Sequence, residues 1–115
     1  MVVLYGIANC DTVKKARVWL NGRGAAFEFY DFKKQPPSSE QIRTWLNDIP
    51  LDVLLNKRGT TWRKLSEAEQ LQTASPEGAA EVMAAYPSVI KRPVLLKDGK
   101  AYCGFKPEQY EQIFG

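Results

Sequence analysis

Cys10 stands where an apolar run gives way to a helix, in Val2-Val3-Leu4-Tyr5-Gly6-Ile7-Ala8-Asn9-Cys10-Asp11-Thr12-Val13-Lys14-Lys15-Ala16. A glycine stops the run, a tight loop follows, and the thiol falls at the start of an amphipathic segment. A helix start leaves backbone N–H groups unpaired and carries partial positive charge. Both favour a thiolate over a thiol, so a cysteine placed there has a lowered pKa and raised reactivity. Lys14 lies one turn on and Arg17 about two, roughly on the same face, and they add positive charge. The chemistry on offer is that of a nucleophile or a redox centre. Asn9 and Thr12 flank the thiol. They can donate hydrogen bonds to a thiolate or an oxyanion, or serve only as turn and cap residues.

A lone thiolate does redox work only when a second thiol resolves the mixed disulfide it forms. Cys103 is the sole internal candidate. It lies between Tyr102 and Gly104 on a hairpin strand beside the core, where a cysteine usually acts as a small hydrophobe. An external thiol is therefore the expected partner. The chain has no histidine, which removes Cys–His and Ser–His pairs and imidazole metal ligands. With two cysteines in all, a zinc site is not expected either.

The net charge of +3 is mild. It is compatible with anionic small molecules, and no dense Lys/Arg stripe argues for nucleic acid. Apolar runs fall far short of a membrane span, and the start of the sequence has no basic n-region or small-residue cleavage site. The expectation is a soluble cytoplasmic protein. At 115 residues with 44% hydrophobic content, it suits one compact domain with a core that needs no disulfide or metal.

The elements that must position the thiol follow from hydrophobic spacing. Val2 to Tyr5 reads as a short buried strand. Asp11 or Thr12 can cap a helix to about Arg23, where Gly22 and Gly24 stop it. Phe27 to Phe32 alternates as a second strand. Strand, helix, strand make a βαβ unit with parallel strands. Pro36-Pro37-Ser38-Ser39 opens a helix from Glu40 to about Asn47, ended by Pro50. A short apolar helix at Leu51 to Leu55, a polar loop Asn56 to Thr61 and a turn at Trp62 to Leu65 come next. Ser66 with Glu69 forms a capping box, and Ser75-Pro76 starts a helix to about Ala85. Val94 to Lys97, the Asp98-Gly99 turn and Lys100 to Cys103 form a hairpin, and a last helix covers Glu108 to Phe114. Trp19 and Trp45 read as core residues. The order β-α-β, helices, β-β-α is that of an α/β thioredoxin-like fold with a mixed sheet. The chain is expected to form a single domain over 1–115, with a helical insertion at about 37–86.

The sequence resembles the ArsC/YffB/Spx family of thioredoxin-fold proteins, and most closely its YffB-like branch. The resemblance rests on Tyr5 to Thr12, on Leu54-Leu55-Asn56-Lys57-Arg58-Gly59, on Ile90-Lys91-Arg92-Pro93 and on Gly104-Phe105. It implies that Cys10 is the reactive thiol. It further implies that Pro93 is cis and faces the thiol, exposing backbone groups to an extended peptide-like ligand, and that Arg92 points at it. Arginine suits that place because its planar fork holds a carboxylate or oxyanion by two hydrogen bonds. Arsenate reductases of this family surround the oxyanion with several arginines. Here Arg92 matches one, the middle one aligns to Asn56 or to Arg58, and the last falls on Gly104. The regulators often carry a second cysteine three residues after the first, a position held here by Val13.

The implied function is therefore a glutathione-dependent thiol reductase. Cys10 would form a mixed disulfide with glutathione as co-substrate, no cofactor being bound, and would act on a small oxyanion or disulfide substrate. Arg92, Pro93, Arg58, Asn9, Thr12 and Lys14 are the candidate substrate contacts. For Arg58 and Lys14 the alternatives are a polar loop and a solvated helix face. The alternative functions are an arsenate reductase with a reduced arginine set and a non-enzymatic Spx-like module that binds another protein. A monomer is the default expectation.

Overall fold

The computed structural model describes residues 2–115. Four strands form one mixed sheet: β1 (Val2–Gly6), β2 (Phe27–Asp31), β3 (Val94–Lys97) and β4 (Lys100–Cys103), in the order β2-β1-β3-β4. β1 pairs with β2 in parallel and with β3 antiparallel, and β3 pairs antiparallel with β4. Helix α1 (Asp11–Arg23) makes the crossover between the parallel strands. Between β2 and β3 lie α2 (Ser39–Trp45), α3 (Leu51–Leu54), α4 (Thr60–Lys64), α5 (Glu67–Gln72), α6 (Pro76–Ala85) and a 3-10 turn at Pro87–Val89. Helix α7 (Pro107–Phe114) follows β4. This is the thioredoxin-like arrangement, with helices α2–α6 between its second and third strands.

Alternate strand residues point to opposite faces of a sheet, and here the two faces bury different partners. Leu4 and Leu95 pack with Ala16 and Leu20 of α1 and Tyr110 of α7. Tyr5, Val94 and Ala101 pack on the other face with Ile42, Trp45, Leu54, Ala80 and Met83 of the insertion. The sheet is thus sandwiched between α1/α7 and α2–α6. Trp45 sits in the larger core as expected. Trp19 is half-buried in the smaller one, edge-on to Tyr110 at 5.4 Å. Among the described residues no helix is long and apolar enough to cross a membrane.

Several boundaries differ from the sequence reading. The residue capping α1 is Cys10 itself, and its side chain makes no capping hydrogen bond; Asp11 is already helical. Helix α4 begins at Thr60, so Thr60 and Thr61 belong to a helix and not to the preceding loop. Glycine at 59 takes the extended cap conformation there, and no apolar periodicity announces so short an element. Leu55, assigned to the helix before it, instead forms an isolated antiparallel bridge with Ile90. Asn56 N–H donates to the Val89 carbonyl and Lys91 N–H to the Leu54 carbonyl, both at 2.7 Å. This bridge ties the 56–59 loop to the segment leading into β3.

Candidate functional site

The thiol is positioned by the meeting of β1 and α1. A Cβ at Gly6 would lie 2.7 Å from Val13 Cγ2, so glycine lets the first turn of α1 sit directly on the end of β1. Cys10 N–H donates to the Ile7 carbonyl at 3.0 Å, closing the loop, and Lys14 N–H donates to the Cys10 carbonyl at 2.9 Å, opening the helix. The end of β2 braces the loop. Phe32 N–H donates to the Gly6 carbonyl at 2.7 Å, and Ala8 N–H reaches the Asp31 carboxylate at 3.4 Å. Asp31 is a support that sequence reasoning missed, since an aspartate closing a strand carries no motif.

Partial burial is the largest influence on the Cys10 thiol and pushes it up. The backbone N–H of Val13, the Arg92 guanidinium and the backbone N–H of Thr12 together outweigh it, and the thiol lies below its ordinary value. The N–H groups are the unpaired donors of the helix start. Arg92 comes from the segment entering β3, the strand beside β1. Its Nη1 donates to the Ser88 carbonyl at 3.0 Å, which anchors the guanidinium, and its Nε is buried with no partner in the protein. A buried donor without a partner costs about 1–3 kcal/mol, and a thiolate or bound anion would remove that cost.

The positive charge expected from α1 is not what lowers the thiol. Arg17 lies over the Phe29 ring at 4.4 Å, and Lys14 is exposed; neither is among the groups acting on Cys10. An arginine beside an aromatic ring gains from cation–π attraction, which a helical-wheel reading does not weigh. Asn9 stands exposed in the loop. The Arg92–Pro93 bond is cis, and Pro93 is buried, its carbonyl accepting from Gly104 N–H at 2.9 Å.

Thr12 and Arg92 line a cavity of about 450 Å³ with Lys91, Cys103 and Lys106. Arg58 is not in it. It lines an adjoining cavity of about 340 Å³ with Asp52, Lys57 and Lys91. Cys10 lines neither cavity, but its thiol is reached by the Thr12 N–H and by Arg92, and Arg58 is set on a separate, neighbouring surface. None of Lys57, Arg58, Lys91, Arg92 or Lys106 forms an ion pair among the described residues, where the pair found is Lys97–Asp98. This is a cationic region without ion-pair partners among the described residues. Lys91 and Lys106 went unrecognised in the sequence because only the bridge and the β4–α7 loop bring them to the cavity.

Both cysteines are free. Burial pushes the Cys103 thiol up, with Lys91 opposing, so at neutral pH it stands as a thiol packed against the larger core. No group of three or more His, Cys, Asp or Glu residues able to hold a metal comes together among the described residues.

Arg92→Met should raise the pH at which Cys10 begins to react with iodoacetamide, toward the ordinary thiol value. The backbone donors of Thr12 and Val13 stay in place, so the shift should stop short of a fully buried thiol. Alkylation rate against pH measures it, with circular dichroism confirming an unchanged fold.

The sequence model of the ArsC family matches residues 5–113. The solved structure of a protein described as YffB superposes with a TM-score of 0.93 at 43% identity, covering 100% of both chains. An arsenate reductase (ArsC) related protein from Brucella melitensis gives a TM-score of 0.73 at 48% identity, over 98% of this chain and 93% of that one. The global transcriptional regulator Spx of Streptococcus agalactiae is 25% identical over 95% of this chain and 80% of its own.

Proposed function

The chain belongs to the ArsC family, and on that footing we propose that it is a thiol oxidoreductase, specifically a glutathione-dependent reductase in which Cys10 is the nucleophile. The observation that carries this reading is the environment of Cys10: a thiol at a helix start, lowered by two backbone N–H groups and by Arg92 in spite of burial. Thiolate, not thiol, is the attacking species.

The Cys10 thiolate attacks the glutathionyl sulfur of a mixed disulfide R–S–S–G. The new Cys10–glutathione bond forms, the old S–S bond breaks, and RS⁻ departs with the electron pair. A glutathione thiolate then attacks the glutathionyl sulfur of the adduct. Glutathione disulfide leaves and the Cys10 thiolate is regenerated, held again by the helix start. The substrate sulfur is reduced to a thiol and one free glutathione is oxidised, the other half of the glutathione disulfide coming from the mixed disulfide. Cys103, a buried thiol raised in pKa, is poorly suited to the resolving step, which supports an external resolving thiol.

Incubation with glutathione disulfide, followed by mass spectrometry, tests the reading. The expected product is one glutathione adduct, on Cys10, reversed by added glutathione. No adduct, or an adduct on Cys103 alone, would contradict it.

Arsenate reduction is the second reading, favoured by the Brucella relative's description as arsenate reductase related. Against it, a tetrahedral oxyanion is best held by several forked donors. Arg92 is the one arginine lining the cavity it shares with Thr12, Arg58 lines a separate one, and position 104 is glycine. Arsenate-dependent oxidation of glutathione distinguishes the two. The regulator reading takes its support from the Spx relative. A lowered thiol pKa serves no purpose in a module that only docks on a protein, and the position three residues after Cys10 holds a fully buried valine, Val13.

A further inference from the structure

Lys91 is a cation whose place is built rather than incidental. Gly104 has φ +79, a conformation that side chains rarely adopt. A Cβ there would lie 3.3 Å from Lys91 Cε, so the lysine stem runs across the space a side chain at 104 would take. The Lys91 backbone is fixed from the opposite side by its 2.7 Å hydrogen bond to the Leu54 carbonyl and by the neighbouring Leu55–Ile90 bridge. Lys91 lines both cavities, the one holding Arg92 and Lys106 and the one holding Lys57 and Arg58. It forms no ion pair among the described residues. Asp52, on the rim of the second cavity, is the carboxylate in this setting.

Two adjoining cationic cavities, one of them also carrying a carboxylate, match a ligand with a carboxylate at each end and an ammonium group at one of them. Together the cavities have the volume of a small-ligand site. We infer that Lys91 is the specificity-determining residue of this surface, standing between the cavities and selecting a glutathionyl group laid across it. The glycyl carboxylate lies on the Arg92/Lys106 side, and the zwitterionic γ-glutamyl end on the Lys57/Arg58/Asp52 side. This inference rests on the reductase reading and says where its co-substrate lies. A lysine ammonium, a point charge with rotatable donors, can serve either cavity where a rigid fork would favour one.

The test is the rate at which Cys10 forms a mixed disulfide with two probes, glutathione disulfide and the neutral 2-hydroxyethyl disulfide. Lys91→Met should slow the reaction with glutathione disulfide about tenfold, the loss of one charge-assisted hydrogen bond. It should leave the hydroxyethyl disulfide rate within about twofold of the unmodified protein. The pH profile of Cys10 alkylation should not move, since Lys91 is not among the groups acting on that thiol, and Lys91→Arg, which keeps the charge but favours one cavity, should restore only part of the rate. Equal slowing with both probes, a shifted pH profile, or no slowing at all would overturn the inference and leave the reductase reading standing. Failure of the unmodified protein to form an adduct with either probe would overturn the reductase reading and this inference with it.

Discussion

Cys10→Ser should eliminate disulfide exchange, with a loss of at least ~10³-fold and no glutathione adduct at any pH, while the fold persists. A serine hydroxyl stays protonated where the thiol ionises, and the helix start and Arg92 cannot bridge that difference. The stability side of this prediction has a sign that depends on pH. The neutral Cys10 thiol makes no capping hydrogen bond to α1 although its backbone is already in the extended cap conformation, φ −79 and ψ 126, whereas its thiolate would draw on the N–H groups of Thr12 and Val13. Serine is among the preferred residues at that position, and its hydroxyl can accept an N–H of the first turn, an effect of about 0.5–2 kcal/mol relative to a non-capping residue. The variant should therefore be inactive; at low pH, where Cys10 is a neutral thiol, it should be as stable as its parent or slightly more so, and as pH rises and the parent gains the stability of its lowered thiolate the difference should shrink or reverse. Thermal unfolding beside the adduct assay checks both halves. A variant that loses activity and unfolds would point to a structural cysteine instead.

The largest stability effect should come from Trp45→Ala, about 3–5 kcal/mol. Trp45 is 2% exposed and lies in the larger core, its ring 5.0 Å from Tyr5 and 6.5 Å from Phe32. It fastens α2 to the face of the sheet that carries β1. Removing the indole leaves a cavity bordered by rings that cannot close over it, because Tyr5 is held in a strand and its hydroxyl accepts from Gln41 Nε2 at 3.3 Å. Against a total stability of about 5–15 kcal/mol for a domain, the loss approaches global unfolding. Urea denaturation should show the midpoint falling by at least 1 M at an unchanged slope. Trp45→Phe should recover much of the loss. Because the same layer carries the 54–59 and 87–92 segments, the Ala variant should also lose the Arg92 effect on Cys10 where it is partly unfolded.

The thiol at a helix start, the sheet strands and the capped helices were legible because each is encoded locally. Ser38 and Ser66 form the reciprocal boxes with Gln41 and Glu69, and the Asp98-Gly99 turn takes positive φ at both residues as its composition requires. Cys10 was readable from a strand, a glycine and the onset of helical spacing. What escaped was set by contacts distant in sequence. The Leu55–Ile90 bridge has two residues and no periodicity, yet it determines that Lys91 faces the site and that Arg58 lines a neighbouring cavity. The assignment of the helpful cation to α1 failed for a related reason. Arg17 found an aromatic partner on β2, leaving the part to Arg92, which the family resemblance already pointed at the thiol and which a hydrogen bond to the Ser88 carbonyl anchors. Residues brought in by loops carry no local pattern from which their direction can be read.

The most direct test of the central claim is the rate of Cys10 alkylation by iodoacetamide as a function of pH, with the modified residue located by mass spectrometry. The stabilised thiolate predicts an inflection below the free-cysteine value of about 8.5, arising from Cys10 and not from Cys103. An inflection at or above that value would mean that burial, not the helix start and Arg92, governs the thiol, and would contradict the account.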